Sequence, residues 1–122
     1  MASNQIKGIT IQIGGDTSTL GAALNSAEQS SRQLSSELRE IDRALSFDPG
    51  NTELLEQQFS ALSESVDAAR SKLNTLREVQ EQIQQQFESG QISGSQYRAF
   101  QRTVMQAESA VRRLEERQAE LS

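Results

Sequence analysis

The stretch that decides the fold is residues 52–88, TELLEQQFSALSESVDAARSKLNTLREVQEQIQQQFE. Apolar residues recur in it at alternating spacings of three and four, which is the a/d pattern of a heptad repeat. The pattern continues for about five heptads, a length that predicts a sustained helix packed against other helices. The apolar seam of this second helix consists of Leu55, Phe59, Leu62, Val66, Leu73, Leu76, Ile83 and Phe87.

Two seam positions of this helix are weak. Ala69 is small and Gln80 is polar, and Val79 beside Gln80 would let the apolar face drift by one residue.

The same periodicity flanks this helix on both sides and predicts a first helix over residues 17–46 and a third over residues 93–122. The seam of the first helix includes Leu34, Leu38, Ile41 and Leu45. The seam of the third helix includes Tyr97, Phe100, Val104, Val111 and Leu114. All three helices are therefore expected to pack through narrow apolar stripes.

The connection between the first two helices is Phe47-Asp48-Pro49-Gly50-Asn51-Thr52. Asp48 precedes a proline, which disfavours helical geometry at that residue. Asp48 can cap the second helix with Pro49 at its first position, or Asn51 or Thr52 can cap it one turn later. This connection is compatible with a helical hairpin and with a kinked longer rod.

The connection before the third helix has a more specific pattern. Ser93 and Gln96 have the spacing of a capping box, and Ile92 and Tyr97 have the positions of a hydrophobic staple. The third helix is therefore predicted to begin near Ser93.

Residues 1–16 differ from the rest of the chain and are predicted to form an N-terminal strand or arm. Ile9, Ile11 and Ile13 alternate with polar residues, which is typical of a strand, and Gly14-Gly15-Asp16 ends it. Asp16 or a neighbouring hydroxyl can cap the first helix. A single strand leaves its backbone groups unpaired, so we expect these isoleucines to pair with a strand from another copy or another protein. The alternative is a frayed arm.

Composition supports an all-α fold of three long heptad-patterned helices, as a coiled coil or as helical hairpins, behind one short strand. Only 34% of the residues are hydrophobic and 4% are aromatic, too few for an ordinary globular core but enough for narrow seams. The chain has no cysteine and no histidine, which removes thiolate chemistry and the commonest metal ligand and general base. We expect no enzymatic activity, no catalytic residues, no cofactor and no metal.

The charge and the hydropathy of the chain limit the classes of partner that we expect. The net charge is −5 with both signs spread along the chain, and there is no basic block, so nucleic-acid binding is not expected. No run of about 18 apolar residues occurs, so no membrane partner is expected for this segment. The first five residues lack the basic and apolar regions of a signal peptide, which suggests a cytosolic protein.

Three segments outside the heptads occur in a fixed order. They are residues 6–18, with the strand and Gly14-Gly15-Asp16; residues 47–55, with Asp48-Pro49-Gly50-Asn51; and residues 90–102, with Ile92-Ser93. In this order and spacing they resemble the N-terminal region of tail tape measure proteins from long-tailed bacteriophages and related prophages. The resemblance covers nearly the whole chain.

The resemblance implies a structural virion component that self-associates as helices inside the tail tube and sets tail length. It implies contacts with the tube protein, tail-end proteins and tail assembly chaperones, and a location in the virion tail, with the host cytoplasm during assembly. Family members are usually many hundreds of residues long. We therefore expect a fragment of the N-terminal region or a truncated prophage remnant.

Two other functions fit the pattern. A self-contained three-helix adaptor or assembly chaperone would fold back on itself and bind a partner helix. A less favoured possibility is a peptidoglycan- or nucleic-acid-binding arm, which the five arginines of the third helix would serve. That helix also carries four acidic residues, which is more typical of a solvated helical surface.

Overall fold

The computed structural model describes residue 6 and residues 8–121, and it is 81% helical. Its elements in chain order are β1 (Thr10–Ile13), β2 (Asp16–Thr19), α1 (Leu20–Phe47), α2 (Thr52–Glu88) and α3 (Gly94–Leu121). The predicted all-α class with three helices behind an N-terminal strand is confirmed. Residues 1–5, 7 and 122, which fell in the predicted arm and third helix, lie outside the described residues.

The N-terminal strand is half of a β-hairpin within the chain. β1 pairs antiparallel with β2, with Ile13 opposite Asp16. Gly14 and Gly15 connect the strands with φ values of +60° and +86°, the left-handed geometry that a two-residue type I′ turn requires. The expectation of a partner strand from another copy or another protein is therefore wrong, and so is the alternative of a frayed arm for residues 10–13.

The physical reason for this difference lies in residues 16–19. The predicted first helix includes residues 17–19, but Thr17 and Thr19 are β-branched and follow a diglycine turn, so they continue as a strand. As a result α1 begins at Leu20 rather than at residue 17. Thr19 caps it, because its Oγ1 accepts a hydrogen bond from the Ala22 N–H at 3.1 Å.

The turn geometry gives a testable prediction at Gly14, where a Cβ atom would meet nothing within 4 Å. Gly14→Val should lower the free energy of unfolding by about 1–2 kcal/mol, because a β-branched residue is strained at positive φ. Gly14→Asn should cost much less, since asparagine tolerates this conformation. Urea denaturation would measure both values, and equal losses in the two variants would argue against a type I′ turn.

The helices fold back as two successive antiparallel hairpins. Gln58 of α2 bonds Asp42 of α1 at 2.9 Å, and Lys72 lies 3.5 Å from Glu28. The two contacts show that α1 and α2 run antiparallel. The same relation holds between α2 and α3, where Gln118 donates to Ser63 at 2.7 Å. Both connections are helical hairpins. Of the two predicted alternatives for the first connection, the hairpin is therefore the correct one.

The caps of α2 lie where one of the predicted alternatives put them. Asn51 is the N-cap, because its Oδ1 accepts from the Leu54 N–H at 3.1 Å. The Asn51 side-chain amide also donates to Asp48 Oδ2 at 3.1 Å, while the Asp48 N–H caps the end of α1 through the Ala44 carbonyl. These local bonds end one helix and start the next within four residues.

The buried side chains form two clusters. The larger joins the β-hairpin to the start of α1, the second half of α2 and the first half of α3, and it includes Ile9, Ile11, Leu20, Leu24, Leu76, Val79, Ile83 and Phe100. The smaller lies near the α1–α2 turn and consists of Leu38, Ile41, Ala61 and Leu62. Leu114 of α3 packs against both clusters and so links them.

Candidate functional site: the helix-packing seams

The seam of α2 faces both neighbouring helices. Leu62, Val66, Leu73, Leu76 and Ile83 are at most 7% exposed, so this part of the seam is used within the chain. Leu55, Phe59 and Phe87, near the two ends of α2, remain 42%, 43% and 40% exposed.

The apolar face of α2 shifts by one residue at its weak position. Val79 is completely buried, whereas Gln80 is exposed. Val79 belongs to the larger cluster, which also contains the isoleucines of the β-hairpin. The one-residue shift of the apolar face that was predicted from Val79 and Gln80 is therefore present.

The seam residues of α1 and α3 are less completely buried than those in the middle of α2. Leu38 and Ile41 of α1 and Phe100 and Val111 of α3 are buried. The remaining predicted seam residues of these two helices are half-buried: Leu34, Leu45, Tyr97, Val104 and Leu114. Of the predicted strand residues, Ile9 and Ile11 are buried and Ile13 is half-buried. The buried parts of the seams and the strand thus form an intramolecular core of two clusters that Leu114 links.

The capping box predicted at the start of α3 is present. The Gln96 N–H donates to Ser93 Oγ at 3.1 Å, and the Ser93 N–H donates to Gln96 Oε1 at 2.9 Å. Beside it the rings of Phe87 and Tyr97 stack with centroids 4.4 Å apart. The capping box and the ring stack together define where α3 begins.

Glutamines of α2 cover the outer edge of β1, a feature that the sequence analysis missed. Gln82 accepts from the Gln12 N–H at 2.8 Å and donates to the Gln12 carbonyl at 2.7 Å. Gln86 donates to the Thr10 carbonyl at 2.7 Å. These side chains occupy the backbone groups that a further strand would use. Their only signal in the sequence is the glutamine-rich end of the second helix.

Ion pairs tie the helices together at the surface. Arg117 of α3 donates to Asp42 of α1 at 2.7 Å, which joins the two outer helices. Arg70 pairs with Glu115, whose hydrogen bond and negative charge raise the pKa of Arg70. Arginine is already charged at neutral pH and these pairs are exposed to solvent, so they contribute little to the stability of the fold.

A groove opens between α1 and α3 over the middle of α2. Its volume is about 600 Å³. Leu38, Ala69, Ala107, Ala110 and Leu114 are among the residues that form its apolar surface, and arginines stand along its sides. We call it the α1/α3 groove. Two predicted seam residues, Leu38 and Leu114, line it, but none of the described helices fills it.

Among the described residues no group of three or more acidic side chains is placed to hold a metal ion. None of the helices in the described part of the chain is long and apolar enough to span a membrane.

Comparison with protein-family models, with characterised proteins and with solved structures finds no match.

Proposed function

We propose that this chain is the N-terminal helical region of a bacteriophage or prophage tail tape measure protein. The observation that carries the proposal is the position of the three segments on which the resemblance rests. Gly14-Gly15 is the turn of the β-hairpin, Asp48 and Asn51 join α1 to α2, and Ser93 caps the start of α3. Each segment lies at a joint of the fold, so the resemblance concerns the residues that position the helices rather than the heptads alone.

The role proposed for this region is structural. It is a non-catalytic virion component that acts in tail assembly and length determination, with the tube protein, tail-end proteins, assembly chaperones and further copies of itself as partners. The larger part of its seams is closed within the chain, so self-association would use surfaces left outside. The exposed seam residues Leu55, Phe59 and Phe87 are available for that role.

The second candidate is a self-contained helical adaptor or assembly chaperone that binds a partner helix. The fold-back of α1 and α3 onto α2 favours it, because an adaptor of this kind needs its core closed within one chain. The two candidates differ in where the protein ends up. A tape measure region is built into the tail, whereas an assembly chaperone acts and is then released.

Mass spectrometry of purified tail particles from the phage or prophage that encodes the chain tests the proposal. We expect its peptides in the tails, and deletion of its coding region should abolish tails of normal length. If its peptides are absent from the tails while deletion still reduces tail number, the chaperone is favoured. Tails of unchanged number and length after deletion would contradict both candidates.

A further inference from the structure

The α1/α3 groove is strongly basic although the chain as a whole carries a net charge of −5. Five cationic side chains line it, Arg32, Arg39, Lys72, Arg113 and Arg117, against one carboxylate, that of Asp42. The positive charge of the protein is therefore concentrated where the two outer helices face each other. An uneven distribution of this kind favours an anionic occupant.

The charges of the groove are only partly neutralised from within. Arg117 pairs with Asp42, and Lys72 pairs with Glu28. Arg32, Arg39 and Arg113 are exposed and make no ion pair with any other described residue. Three guanidinium groups are thus free to bind carboxylates, for which their planar donor geometry is well suited.

The shape of the groove fits a helix. Its lining runs from Ser31 to Asp42 on α1 and from Gln106 to Arg117 on α3, which is about 16 Å or three helical turns. Ala69, Ala107 and Ala110 project little from the helices that carry them, so a fourth helix can approach closely. An occupant would place apolar side chains on this surface and acidic side chains toward the arginines on both sides.

The exposed helix faces of the chain itself fit the groove less well. At the start of α2, Leu55 and Phe59 lie beside Glu53 and Glu56, but this patch covers only about one turn, against three turns of the groove. The outer face of α2 is exposed and acidic, with Glu64, Asp67, Glu78 and Glu81. The other two positions of this stripe, Ser71 and Asn74, are polar. No apolar side chain is available on that stripe to cover the alanines and leucines of the groove. A helix from another protein is therefore the better occupant.

We propose that the α1/α3 groove binds an acidic amphipathic helix of another protein, which completes a four-helix arrangement with α1, α2 and α3. The proposal goes beyond the tail function and does not depend on it, because it rests on the charge and shape of the groove alone.

Fluorescence anisotropy of the full chain with a labelled, stapled helical peptide tests the proposal. The peptide has about 14 residues, roughly four turns, with alanine and leucine on one face and glutamate on both flanks. We expect saturable binding that weakens as salt is raised. The double variant Arg39→Glu/Arg113→Glu should weaken it about tenfold or more, since two attractions become repulsions.

The matched control is Arg43→Glu/Arg112→Glu, which makes the same charge change at exposed positions of α1 and α3 outside the groove. It should change the affinity less than about twofold, because the distance and solvent screen these charges. Circular dichroism of both double variants checks that the fold is kept, and Arg39→Gln/Arg113→Gln provides a milder change at the same sites.

Several results would overturn the proposal. A peptide with lysine in place of glutamate should not bind, and equal binding of the two peptides would show that charge plays no part. Equal weakening by the groove and control variants would show that the groove is not the site. Light scattering that finds a dimer in the wild-type protein, lost in Arg39→Glu/Arg113→Glu, would make a second copy the occupant. Equal competition by a single-stranded oligonucleotide would show selection for negative charge alone.

Discussion

Replacing Leu76 with Asp should unfold the chain. Leu76 is completely buried in the larger cluster, where the β-hairpin and α3 pack on α2. The substitution removes an apolar contact and introduces a carboxylate with no partner, and together these cost several kcal/mol. Small domains are stabilised by roughly 5–15 kcal/mol in total. Circular dichroism should therefore show a large loss of helix and of cooperative melting.

Gln80→Asp is the matched control for this change. Gln80 lies four residues further along the same helix but is exposed, because Val79 takes the buried place beside it. We expect it to change the free energy of unfolding by no more than about 0.5 kcal/mol. A folded Leu76→Asp variant, or an equally damaged Gln80→Asp variant, would mean that a different face of α2 is the core.

The second large effect is expected at Ile11. Its side chain is 1% exposed and lies in the larger cluster, so Ile11→Ala should cost about 2–5 kcal/mol through lost contacts and a cavity. Thr17→Ala on the opposite strand is the control, because Thr17 is exposed and its loss should cost less than about 1 kcal/mol.

Urea denaturation at several protein concentrations measures the effect at Ile11 and also tests which strand is its partner. Because β1 pairs with β2 of the same chain, this pairing should add no dependence of the midpoint on protein concentration. A midpoint that rises with concentration in the wild-type protein but not in Ile11→Ala would instead show that the strand is completed by another copy.

The features that the sequence predicted correctly depend on local chemistry. The bounds predicted for the second helix, residues 52–88, are those of α2, because its heptads and its asparagine cap act within a few residues. The capping box of Ser93 and Gln96 was found for the same reason, since its two partners are three positions apart. Periodicity also identified much of the buried face of each helix, apart from the shift at Val79 and the exposed seam residues Leu55, Phe59 and Phe87.

The features that the sequence did not give depend on distant residues. The hydrogen bond between Gln82 and the backbone of Gln12 in β1 joins positions 70 residues apart. The Asp42–Arg117 pair joins positions 75 apart. The α1/α3 groove exists only once both hairpins have closed, so its arginines looked like ordinary solvated positions. The β-hairpin is different, because its diglycine turn was visible and the threonines after it were assigned to the helix instead.

Small-angle X-ray scattering, extrapolated to low concentration, tests whether the three seams close within one chain. A folded-back chain should have a longest dimension close to the length of α2, about 55 Å. The same helices placed end to end would span about 140 Å. We expect the shorter dimension for the monomer, whatever association occurs at higher concentration, and a rod near the longer dimension would show that the seams do not close within the chain.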